Sequence, residues 1–178
     1  MKKAILRELF DYLKLIVFVV VAVLVINNFV IVNALIPSES MEETIMTGDR
    51  IFGNRLAYTF GDVSRGDIVI FKSPDDESQL FIKRVIGMPG DTVTIIEGRP
   101  YLNGSETPLD EPYLSEGPRG DRGDGVYVVP EGSYFMLGDN RNHSSDSREW
   151  TNKYVVDRQI LGKAAFRYFP FSEMGTIK

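Results

Sequence analysis

Leu80-Phe81-Ile82-Lys83-Arg84-Val85-Ile86, closed by Gly87-Met88-Pro89-Gly90, is the stretch that decides the fold. It is a short apolar, partly β-branched run ending in a Gly/Pro turn, so it reads as a strand rather than a helix. The same pattern recurs on both sides. Residues 67–71 follow the turn residue Gly66, and residues 92–96 run through Glu97-Gly98 into Arg99-Pro100-Tyr101-Leu102, a hairpin signal. Residues 125–129 and 133–137 are further short strands, and 160–169 is the last. Short β runs punctuated by Gly and Pro predict a mainly β, antiparallel sandwich or barrel. Residues 105–124 are rich in Pro, Gly and charge and read as a surface excursion, with Arg119-Gly120-Asp121 a charged glycine turn inside it.

Upstream of the strands the chain changes character. Every residue from Leu15 to Ile26 is apolar; Asn27 and Asn28 interrupt, and Phe29-Val30-Ile31-Val32 resumes. Leu13 to Val32 therefore supplies the roughly 20 mostly apolar residues that a membrane-spanning helix needs. Lys2, Lys3, Arg7 and Lys14 against Glu8 and Asp11 give residues 1–35 a net charge of +2, whereas the rest of the 178-residue chain carries −7. The positive-inside rule then places residues 1–12 in the cytoplasm, a transmembrane anchor at 13–35, and a domain at 36–178 outside the cell membrane. The competing reading is a cleaved secretory signal with Val32-Asn33-Ala34 as its cleavage site; four apolar residues stand where its polar region belongs.

Composition narrows the chemistry. There is no cysteine, so a thiol nucleophile, a disulfide framework and a thiolate zinc site are excluded. A single histidine, His143, excludes a multi-histidine metal centre, and the net charge of −5 argues against nucleic acid as a partner.

Three segments remain that carry reactive groups. Ser38 and Ser40 flank Glu39 just after the apolar segment, and extended backbone would put both hydroxyls on one face, one to attack and one to bind an oxyanion. Taken alone, a Ser-x-Ser loop is usually a turn or a helix cap. Lys83 shares a strand face with Phe81 and Val85, while Arg84 faces away with Ile82 and Ile86. Lost hydration lowers a lysine pKa and makes it a general base near neutral pH; a snorkelling lysine at a sheet edge is the plainer account. Gly138-Asp139-Asn140-Arg141 through Ser144, Asp146 and Arg148 reads either as a polar surface loop or as a buried network in which Asp146 pairs with Arg148. A Ser-His-Asp triad through His143 is compatible with composition, but no Gly-x-Ser-x-Gly elbow is present.

Taken in order, these segments resemble the type I signal peptidases, membrane-anchored serine proteases that remove signal peptides. The matching stretches are Ser38-Glu39-Ser40-Met41-Glu42-Glu43-Thr44-Ile45, Gly48-Asp49-Arg50, Gly66-Asp67-Ile68-Val69, Lys83 to Asp91, and Gly138-Asp139-Asn140-Arg141 with Ser144, Asp146 and Arg148. The likeness spans nearly the whole chain, in the short form typical of Gram-positive bacteria. It implies Ser40 as nucleophile, Lys83 as general base, and Ser38 with the Ser40 backbone N–H as the oxyanion hole. It further implies Ser144 as the residue orienting the lysine and Asp146 with Arg148 as a supporting pair. Ile36, Met41, Phe81 and Ile82 would line pockets for the small residues of an Ala-x-Ala cleavage site. The family fold adds a smaller inserted β region at about 92–130. No metal or cofactor is implied; the partners are signal-peptide-bearing pre-proteins and the lipid bilayer.

One position departs from the family pattern: Glu43 stands where proline is usual. Glu42 and Glu43 are expected to point to solvent, since a carboxylate beside Lys83 would favour its ammonium form. Two other functions remain compatible with the sequence, a Ser–Lys protease with a narrow substrate set and an inactive membrane-tethered β-domain.

Overall fold

The computed structural model describes residues 2–177. Helix α1, Lys2–Val25, loosens into a π-helical turn, Ile26–Val30, and then becomes a strand, β1, Ile31–Leu35. Within Leu6–Val30 the most apolar 18 residues have a mean hydropathy of 2.7 and none of them is buried by the rest of the protein, so the helix is long and apolar enough to cross a membrane. The helical segment is thus displaced from the anchor expected at 13–35. It starts earlier, and Ile31–Leu35 pairs instead with β2, Arg50–Asn54, in full antiparallel register from Ile31↔Asn54 to Leu35↔Arg50. The reason is tertiary. Val32 is buried in the protein core, and Arg55 ties the strand start through its N–H to the Val30 carbonyl and its Nε to the Ile31 carbonyl.

The remaining strands are β3 (Ile68–Lys72), β4 (Leu80–Gly87), β5 (Thr92–Ile96), β6 (Arg99–Leu102), β7 (Gly125–Val128), β8 (Ser133–Leu137), β9 (Val155–Val156), β10 (Ile160–Phe169) and β11 (Gly175–Thr176). The architecture is mainly β and antiparallel, as expected from the sequence. The large sheet runs β1-β2-β10-β3-β4-β8-β9, with β11 on β10, and a second sheet runs β6-β5-β7. The β5–β6 hairpin turns at Glu97 and Gly98, both with positive φ, the geometry that matches strand twist.

Strands β3 and β4 lie at the centre of the large sheet and are covered on both faces. Ile68, Ile70 and Ile82 join Val32, Ile36, Met41, Ile45 and Ile51 in one apolar cluster. Val69, Phe71 and Val85 join Tyr134, Met136 and Trp150 in another, on the opposite side. Double coverage explains why β3 reads as a continuous apolar run rather than an alternating one. It also means that any charged residue in mid-β4 is taken out of water.

Candidate active site

Lys83 is that residue: it is 4% exposed, hydrogen-bonded through its backbone into β4 between β3 and β8. Its Nζ lies 2.7 Å from Ser40 Oγ and donates to the Ile82 carbonyl at 3.0 Å. Burial pulls the Lys83 pKa down to about 8, against the opposing pull of the Asp146 and Asp139 carboxylates.

Ser40 reaches this position because the loop after β1 is anchored at both ends. Ile36 N–H donates to the Asp49 carbonyl, and Gly48 N–H donates back to Ile36. Beyond Ser40, a tight turn sends Thr44 and Ile45 N–H to the Met41 carbonyl, and both Met41 and Ile45 are fully buried. Ser40 is held between the buried Ile36 on one side and these apolar plugs on the other and is 5% exposed, while Ser38, two residues earlier, is exposed with its Oγ 3.4 Å from Ser40 Oγ.

The loop 138–148 closes the site from the other side. Asn140 N–H donates to the Ser40 carbonyl and its side-chain amide donates to the Glu39 carbonyl, each at 3.1 Å. Asp146 accepts from Gly138 N–H and pairs with Arg148 at 2.8 Å, both side chains being inaccessible to solvent. Although burial opposes its charge, the Arg148 guanidinium and the Gly138 N–H hold the Asp146 carboxyl below the ordinary aspartate range. Gly138 is the point of closest approach. A Cβ there would lie 2.2 Å from Ser144 Oγ and 2.3 Å from the Ser40 carbonyl oxygen, so only glycine fits.

Ser38, Ser40 and Lys83 open into a cavity of about 440 Å³ whose apolar wall includes Ile36, Phe81 and Ile82. A larger cavity, about 570 Å³, lies at the foot of the helix between Asn28, Arg55 and Asp157 and contains neither Ser40 nor Lys83. A serine hydroxyl bonded to a buried, easily deprotonated lysine beside an apolar cleft is the equipment of acyl transfer. Residues 9–169 match the family described as signal peptidase, peptidase S26. The chain belongs to this family.

It is 37% identical over 176 residues to a signal peptidase I of Bacillus licheniformis, covering 94% of this chain and 92% of that one. Signal peptidase I S of Bacillus subtilis is 36% identical, with 94% and 93% covered, and a signal peptidase I of Leptolyngbya laminosa 40% identical, with 89% and 78% covered. A crystal structure of a signal peptidase I from Enterococcus faecalis, 34% identical, superposes on 58% of this chain and 97% of that one with a TM-score of 0.49. The chain is accordingly a serine protease of the signal peptidase I type, acting in signal-peptide removal from pre-proteins.

Two expectations about individual residues of this signal peptidase meet a different geometry in the fold. Met41 does not line the cavity; it is fully buried in the core beneath Ser40, because the 41–45 turn directs it inward. Ser144 is fully buried beside Gly138 and close enough to Asp146 to help hold that carboxylate charged, but among the described residues the Lys83 amine bonds Ser40 Oγ and the Ile82 carbonyl and makes no bond to Ser144. The Ser-His-Asp alternative finds no geometry to support it: His143 is exposed, 3.9 Å from Glu39, and is not hydrogen-bonded to a serine among the described residues.

Glu43 has φ +77°, a left-handed conformation closed to proline, whose ring holds φ near −65°. Its side chain is exposed and that of Glu42 half-buried; the carboxylates acting on Lys83 are Asp146 and Asp139.

Sequence reasoning missed Arg84. It is 4% exposed and forks onto Asp139 at 2.9 and 2.6 Å, and Asp139 in turn accepts from Thr44 Oγ1 at 2.6 Å. A second charge beside Lys83 in a strand with both faces buried was the available signal.

Proposed function

We propose that this signal peptidase cuts by a Ser40–Lys83 dyad, after the second small residue of an Ala-x-Ala site. Neutral Lys83 takes the Ser40 proton as Oγ attacks the carbonyl carbon. The resulting oxyanion accepts hydrogen bonds from the Ser40 N–H and the Ser38 hydroxyl. The lysine then protonates the departing amine of the mature chain as the C–N bond breaks. In the second half, Lys83 takes a proton from water, hydroxide attacks the acyl-enzyme, and Ser40 leaves with the proton restored. Ile36, Phe81 and Ile82 form the shallow apolar wall for the small substrate side chains. Asp146 and Arg148 brace the 138–148 loop facing the dyad, and Ser144, buried within the same loop beside Gly138, is a positioning residue for it.

The observation that carries this reading is the 2.7 Å contact between Lys83 Nζ and Ser40 Oγ, made by a lysine whose pKa burial brings to about 8. The apolar helix anchors the enzyme in the cell membrane, with the basic N-terminal residues cytoplasmic and the β-domain extracytoplasmic. Ser40 is ten residues beyond the end of the candidate span at Val30, which keeps the cut close to the bilayer. Sharing one membrane with the substrate raises effective concentration.

The test is cleavage of an Ala-x-Ala pre-protein by the detergent-solubilised chain beside Ser40→Ala and Lys83→Ala, with product termini read by mass spectrometry. One cut after the second Ala, absent from both variants, is expected; cleavage surviving in either variant overturns the dyad.

A further inference from the structure

The excursion at 105–124 does not behave as the solvated loop its composition suggests. Two of its side chains reach into the catalytic half of the molecule. Glu111 makes a two-pronged ion pair with Arg141, whose side chain is fully buried, and Arg141 Nε donates to the Gly138 carbonyl at 3.1 Å. The Arg141 carbonyl accepts from Arg148 Nη2 at 2.9 Å, which joins this contact to the Asp146 pair. Tyr113 donates its hydroxyl to Glu111 at 2.6 Å and lays its ring against the Arg84 guanidinium, 3.8 Å from the ring centre.

These contacts run to both walls of the site. Through Arg84, Asp139 and Thr44, the Tyr113 ring is linked to the turn that presents Ser40. Through Arg141 and Gly138, Glu111 is linked to the loop in which Asn140 grips the backbone of Glu39 and Ser40. At the far end of the excursion, Arg119 N–H donates to the Asn142 side chain and Arg122 bonds the Asn142 carbonyl and pairs with Glu149.

The geometry points to residues 105–124 as a clamp in which Glu111 and Tyr113 are positioning residues for acyl transfer, holding the Ser40 turn and the 138–148 loop in register over Lys83. This inference rests on the Ser40–Lys83 reading. It acts through placement and through exclusion of water. The charged groups facing Lys83 are Asp139 and Asp146, each paired with an arginine, Arg84 and Arg148. Tyr113 covers Arg84, so losing the ring loosens the Arg84–Asp139 pair and leaves the Asp139 carboxylate freer to favour the ammonium form of Lys83.

The experiment is steady-state cleavage of an Ala-x-Ala pre-protein by the full chain in detergent, with Glu111→Gln, Tyr113→Leu, Tyr113→Phe and Ser40→Ala, alongside thermal unfolding of each. Glu111→Gln and Tyr113→Leu are expected to lower kcat about tenfold or more with KM within about twofold, as displaced catalytic groups do. Tyr113→Phe keeps the ring over Arg84 and is expected to recover most of kcat. In Tyr113→Leu the acidic limb of kcat/KM moves to higher pH, which simple loss of stability would not do in a folded variant. An inactive Ser40→Ala together with parental kcat and an unmoved acidic limb in Tyr113→Leu overturns the clamp alone. Cleavage by Ser40→Ala overturns the dyad and the clamp together. If Glu111→Gln does not fold, the two Tyr113 variants decide the matter.

Discussion

Lys83 and Ser40 are 43 positions apart in the chain, yet the lysine amine and the serine hydroxyl are 2.7 Å apart in a site that excludes most water. The amine is supplied by the middle of a doubly covered strand and the hydroxyl by a loop plugged into the core at Met41 and Ile45. Neither group can retreat to solvent, so their contact is enforced by packing rather than by mutual attraction.

A buried lysine leaves a signature in pH. Its pKa is lowered from 10.5 to about 8, so kcat/KM is expected to fall roughly tenfold per unit as pH drops below about 8. The stability sign is the opposite of an ordinary ion pair. Between about 8 and 10.5 the unfolded chain binds more protons than the folded one, so stability rises with pH across that window. At pH 7 the penalty is present in full, up to about 3 kcal/mol. Urea unfolding of Lys83→Met is expected to show a stability gain at pH 7, reduced by the lost hydrogen bonds, that shrinks towards pH 10.5. A gain independent of pH would show that Lys83 is charged in the folded state.

Gly138→Ala forces a methyl group against Ser144 Oγ and the Ser40 carbonyl, at 2.2 and 2.3 Å before relaxation. Since both neighbours belong to the site, kcat is expected to fall about 100-fold, with a modest loss of Tm. A variant with parental kcat would mean that the two loops have room to separate without consequence.

At Glu43 the backbone itself makes the prediction. Its φ of +77° suits glycine and forbids proline. Glu43→Gly should retain activity and gain up to about 1 kcal/mol in stability. Glu43→Pro, which restores the usual family residue, should lose both stability and cleavage. A more active Glu43→Pro enzyme would show that this turn has a second accessible conformation.

Met41 and Ile82 are both apolar neighbours of Ser40 and Lys83 but should fail differently. Met41→Ala empties a fully buried site and is expected to cost about 2–5 kcal/mol of stability without changing which residue precedes the cut. Ile82→Phe fills the cavity wall and should shift preference from Ala towards Gly at that position. Competition between substrates differing only there measures the difference.

Local patterns account for what is legible in the sequence. The strands β3, β4, β5, β8 and β10 announce themselves through apolar runs ended by Gly or Pro, because both signals arise from residues a few positions apart. Ser38, Ser40, Lys83, Asp146 and Arg148 were visible as chemistry through their resemblance to a family. β1 is not visible as a strand: apart from Asn33, Ile31–Leu35 continues the apolar run of the helix before it, and the ladder to β2 is what sets it apart.

By itself, then, the sequence determined an apolar helix followed by an antiparallel β protein, and the reactive groups it carries. Tertiary structure alone decided which way Met41 turns, that Ser144 lacks the contact expected of it, and that Glu111 and Tyr113 leave a charged excursion to meet Arg141 and Arg84. Burial and ion pairing between segments about 30 residues or more apart depend on strand order and loop closure, and no local propensity encodes those.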